Sequence, residues 1–124
     1  MNDILSITGA VFIMIWGTAH MFPTKSIVKG FGDISEDNKR ILTMEWINEG
    51  LTLIFLGLLI VVTTFFGQSG LHLTKLINII TSIMLFGMAI LSLFTGYKIK
   101  FIPFKLCPYI FACSAILILL GAYL

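Results

Sequence analysis

Apolar residues fill this chain in four long runs, and the polar positions between them mark where each run stops. The first run, over 4–22, ends at Pro23, which lacks the backbone donor a helix needs. A loop is expected over 24–34, where Gly30 and Gly32 interrupt any regular pattern. Ser35 then offers an N-cap, with Glu36 and Asp37 suited to the positive end of a helix, and the second run extends over 36–66. Its first turn and a half is expected to protrude from the bilayer. Residues 67–70 read as a short turn, and the third run covers 71–97. A basic, aromatic connection with Pro103 follows over 98–105, and the fourth run occupies 106–124. Each run supplies the roughly 17–25 apolar residues that cross a bilayer as a helix. The pattern predicts an all-α integral membrane four-helix bundle, with residues 1–124 forming one four-span domain.

Composition agrees with that picture. The chain has 124 residues, of which 58% are hydrophobic and 11% charged, and its mean hydropathy is +1.04. Soluble domains carry about 25% charged residues, so the bilayer is the expected solvent. The start, Met1-Asn2-Asp3, lacks the positive segment of a cleavable signal, so the first run is expected to be a retained span. A formal charge of +2 with no basic stripe argues against nucleic acid as a partner.

The lysines and arginine are unevenly placed. Lys25 and Lys29 lie between the first two runs, Lys39 and Arg40 in the protruding start of the second, and Lys98, Lys100 and Lys105 between the last two. Only Lys75 lies on the other side. The positive-inside rule puts both basic loops in the cytoplasm and both termini on the extracytoplasmic side of the inner (cytoplasmic) membrane. Cys107 and Cys113 are six apart on one predicted helix and point different ways, so no disulfide between them is expected.

The chemistry concentrates in the second run. Glu45, Asn48, Glu49 and Thr52 are spaced i, i+3, i+4, i+7 and share one helix face. A carboxylate at membrane depth costs about 2.5–3.5 kcal/mol, so two on one face need a reason. His20 ends the first run on the same side and is expected to reach Glu45, with Glu49 facing Thr18 or Trp16. Two readings stay open. The group lines a buried acidic site that binds a proton, a cation or a polar headgroup, or it serves as hydrogen-bonding glue between helices.

No metal site is expected. The Glu-x-x-His pattern of di-iron bundles is absent, and His72 falls at the opposite end from His20. Asn78, Thr81, Ser82 and the glycines Gly9, Gly17, Gly50, Gly57 and Gly87 read as close helix packing. Trp46, Tyr97, Phe104 and Tyr109 read as an aromatic belt at the membrane boundary.

Two stretches carry a resemblance. The first run reads Gly9-Ala10-Val11-Phe12-Ile13-Met14-Ile15-Trp16-Gly17 and continues to His20 and Phe22-Pro23; the second contains Glu49-Gly50-Leu51-Thr52-Leu53-Ile54-Phe55-Leu56-Gly57. With the four-span layout, this resembles the DoxX-like family of small bacterial membrane proteins. His20 stands where that family usually has Lys, and Gly50 follows Glu49 at once. The resemblance implies that Glu49 is the family's second-helix acid. It also implies a link to quinone-linked or thiol-linked redox complexes.

Three functions follow as expectations. The first is a binding protein or accessory subunit that holds a quinone or other lipophilic ligand, such as membrane lipid, at Glu45 and Glu49. The second is a small proton-coupled cation or drug transporter, acting as a homo-oligomer. The third is a structural membrane subunit, set beside a membrane-protein partner, with Glu45 and Glu49 as helix-packing glue. No haem, flavin or iron–sulfur signature is present, so the chain is not expected to be an enzyme on its own.

Overall fold

The computed structural model describes residues 1–67 and 72–124. Helix α1 (Asp3–Met21) begins where the Asn2 side chain accepts from the Leu5 amide, and it ends just before the proline. The chain does not then enter a plain loop, as the sequence pattern predicts. Thr24–Lys29 form a short helix, α2. Gly32, at φ +75, makes the turn toward α3 in a conformation that glycine adopts without steric cost. The long helix α3 (Glu36–Phe66) opens on Ser35, whose hydroxyl accepts from the Asn38 amide. At 31 residues it is about 46 Å long, well beyond the ~30 Å apolar core of a bilayer.

Helix α4 spans His72–Thr95 and helix α5 spans Ile102–Tyr123. The third predicted run therefore ends two residues early, at Thr95, while its predicted first residue, Leu71, lies outside the described residues. So does most of the predicted turn at 67–70. The predicted connection 98–105 is shortened, because α5 begins four residues sooner than expected. Pro103 sits in its first turn, where a missing N–H costs nothing. Helices α1, α3, α4 and α5 are each long and apolar enough to cross a membrane.

Packing is uneven. Helix α1 lies against both α3 and α5, and α4 lies against α5, but α3 and α4 hardly touch. The helices thus run in the order α3, α1, α5, α4. Glycines bring the first two contacts close. A Cβ at Gly17 would lie 2.7 Å from the Gly50 carbonyl oxygen, and one at Gly57 would lie 2.7 Å from that of Ala10. On the other side of α1, a Cβ at Gly9 would lie 2.8 Å from the Ser114 carbonyl oxygen. Gly87 breaks the expectation, since its missing Cβ would meet nothing within 4 Å.

Ile13, Leu53, Ile60, Leu85, Phe111 and Ile118 are fully buried between these helices. Polar groups at the termini end of the bundle tie α4 to α1. The Asn78 amide donates to Ser6 Oγ at 3.0 Å, and the Ser82 hydroxyl donates to the Asn78 carbonyl. The interhelical bond to Ser6 contributes about 0.6 kcal/mol within a membrane, while the Ser82 bond lies within α4. The two cysteines are free, with Cys107 buried and Cys113 exposed.

Candidate functional site

The last turn of α1 delivers His20 into the interior, where it is only 7% exposed. Its position is fixed from α3. The Trp46 indole N–H donates to the His20 carbonyl oxygen at 2.6 Å. The two rings stack with centroids 4.0 Å apart and 14° between planes. Phe104, near the start of α5, meets the far side of this assembly, its ring edge-on to Trp46 at 5.3 Å. Backbone and ring of His20 are therefore both held by one residue of the neighbouring helix.

The carboxylate that meets His20 is Glu49, not Glu45. Glu49 Oε2 lies 3.3 Å from His20 Nε2. The geometry falls outside that of a hydrogen bond, so the contact is one of charge and becomes an ion pair when the imidazole is protonated. Glu49 is half-buried and Glu45 is exposed, so the expectation of a buried glutamate pair is not met. The buried member of the group is the histidine. The reason is a matter of depth. The α1–α3 glycine seam sets Gly17 against Gly50, and that register brings the last turn of α1 level with Glu49 rather than one turn shallower.

A cavity of about 270 Å³ opens beside this contact. His20, Glu49 and Cys107 meet it from three helices, and Ser92, Thr95 and Met88 from α4. The Cys107 thiol neighbours the Trp16 indole and lies within electrostatic reach of Glu49. Trp16 Nε1 is buried without a well-formed hydrogen bond among the described residues. Thr18, by contrast, is exposed and spends its hydroxyl on the Met14 carbonyl. It takes no part in the cavity.

A second, more open groove of about 410 Å³ adjoins the first. Glu45, Asn48, Glu49 and Thr52 line one side of it and Met84 and Met88 the other. The four polar residues of α3 thus do share a face, and that face looks into the gap between α3 and α4. Glu49 and Met88 line both spaces. Together these form a slot with apolar sulfur-bearing walls and a charged inner end. Methionine walls suit an adaptable apolar guest.

Sequence reasoning passed over Cys107, Trp46 and Phe104 as site components. It placed both aromatics in a boundary belt and considered the cysteine only for a disulfide with Cys113. Pro108 was a usable signal. It sits inside α5 and cannot bond the carbonyl four residues back, that of Phe104. That carbonyl faces Gly96, a residue of the cavity wall, so the site lies at an irregularity in the helix. Among the described residues, no group of three His, Cys, Asp or Glu side chains is arranged to hold a metal ion. No family model, curated protein or solved structure matches this chain.

Proposed function

We propose that this small multi-pass membrane protein holds a lipophilic ligand with a polar head, a quinone or a lipid, in the slot between α3 and α4. It would serve as an accessory subunit beside a membrane redox partner. The observation that carries this reading is the slot itself. Two long helices that scarcely pack leave a space whose inner end carries His20 and Glu49 and whose walls carry Met84 and Met88. An imidazole N–H donates to a quinone carbonyl, and a carboxylate accepts from the quinol hydroxyl. The ligand's apolar tail lies along the methionines. Glu45, Asn48 and Thr52 line the mouth and meet the more polar part of an incoming head. Electrons come from the partner, since the chain has no redox signature of its own. The DoxX-like resemblance points the same way and rests on the two stretches that carry it. The uneven lysines support a cytoplasmic position for the His20 end of the bundle.

The test compares wild-type protein with Glu49→Gln, each purified gently from native membrane. Quinones and lipids are extracted and counted per protein by mass spectrometry. One quinone or lipid species should be retained in near-stoichiometric amount by the wild type. Retention should fall roughly tenfold or more in the variant, as expected for loss of a charged hydrogen-bond partner. Equal retention in both forms removes the ligand from Glu49. A large stability loss in the variant, with retention unchanged, would instead make the His20–Glu49 contact helix glue. Proton release driven by a cationic substrate, lost in the variant, would indicate transport.

A further inference from the structure

A different kind of groove lies beside α2. It measures about 510 Å³ and lies between α2 and the start of α3. Lys25, Lys29 and Lys39 line it. Lys25 and Lys29 are four residues apart on α2, so both side chains leave from one face. Lys39 is shared with Glu36, whose Oε1 lies 2.8 Å from Nζ. No carboxylate among the described residues pairs with Lys25 or Lys29.

Asp33 is the acidic residue of the lining. Two unpaired ammonium groups and a third, partly neutralised one therefore face a single carboxylate. The hydroxyls of Thr24 and Thr43 donate to the Met21 and Lys39 carbonyls, so neither has a proton left to offer. The groove suits an anion held by lysine charge.

Its place in the molecule selects the anion. Helix α2 follows within three residues of the end of α1, and the apolar stretch of α3 opens at Ile41, just past Lys39. The groove is thus level with the ends of the apolar helices. Val28 lines both this groove and the neighbouring α3–α4 slot, where Ile27 and Phe31 are also part of the lining. A charged group seated on the lysines lies one side chain away from an apolar surface. That pairing fits an amphiphile and is wasted on a free ion. Basic pockets at such a boundary bind phospholipid headgroups.

We propose that the groove between α2 and α3 binds the phosphate of an anionic phospholipid, with Lys25 and Lys29 as its ligands. The lysine groove adjoins the α3–α4 slot through Val28, but Lys25 and Lys29 line only the former and Glu49 only the latter. The test uses protein in phosphatidylcholine nanodiscs doped with phosphatidylglycerol. Native mass spectrometry counts the lipid retained on ejection. The wild type should retain phosphatidylglycerol over phosphatidylcholine. The double variant Lys25→Gln/Lys29→Gln should lose roughly an order of magnitude of that preference. The control Lys98→Gln/Lys100→Gln and the slot variant Glu49→Gln should keep it. If the double variant does not fold, each single lysine variant should show a partial loss. Equal retention of the two lipids overturns the proposal, and so does an equal loss in the Lys98/Lys100 control. Displacement of the lipid by inorganic phosphate would assign the groove to a free anion and also overturn it.

Discussion

At the scale of single residues, Trp46 organises the site more than either glutamate does. The carbonyl of His20 is among those that the end of α1 leaves without a partner in its own helix. Trp46 supplies that partner from α3 and stacks on the same residue's ring. Trp46→Phe keeps a ring for the stack and removes the N–H. It should lower stability by about 0.5–1.5 kcal/mol, read as an earlier thermal unfolding midpoint in detergent. An unchanged midpoint would show that the bond at the end of α1 is idle. This arrangement was not legible beforehand. The spacing of Glu45, Asn48, Glu49 and Thr52 fixes a face of α3, and the structure places all four on one groove. Spacing within one helix says nothing of how far that helix has slid along its neighbour. A slide of one turn exchanges Glu45 for Glu49 opposite His20.

At the scale of elements, the four long helices were readable because the bilayer demands long apolar runs. Helix α2 was not. Six residues between Pro23 and Gly30 are too few for a helical period to show, and both neighbours suggest a break. The start of α5 was placed four residues late, with Pro103 left in the connection, although a proline in a first turn is compatible with a helix. The glycines separate into two kinds, and substitution distinguishes them. Gly57→Ala would press its new carbon against the Ala10 carbonyl and the Met14 side chain, forcing α1 and α3 apart. The cost should be about 1–3 kcal/mol, measured by unfolding in denaturing detergent. Gly87→Ala meets open space and should leave the transition unmoved or slightly later. If the two variants unfold alike, the α1–α3 seam is not limited by backbone approach.

At the scale of the whole molecule, helix direction places both lysine-bearing connections at one end and both termini at the other. Seven of the eight Lys and Arg residues lie in those two connections or in the opening turns of the helices that follow them. Alkaline phosphatase fused after Leu124 should therefore be active in the bacterial periplasm, and green fluorescent protein fused there should stay dark. A fluorescent fusion would reverse the orientation and put the His20 end outside.

The uneven packing has one more consequence. Helices α1 and α3 make one tight pair and α4 and α5 another, while the seam between the pairs runs along α1 and α5, the first and last long helices. Neighbours in sequence at the middle of the chain, α3 and α4, hardly pack on each other. A first half ending at Gly67 and a second half starting at His72 would together keep every close helix seam, either inside one half or across α1 on α5. The molecule is, in that sense, a heterodimer written as one polypeptide.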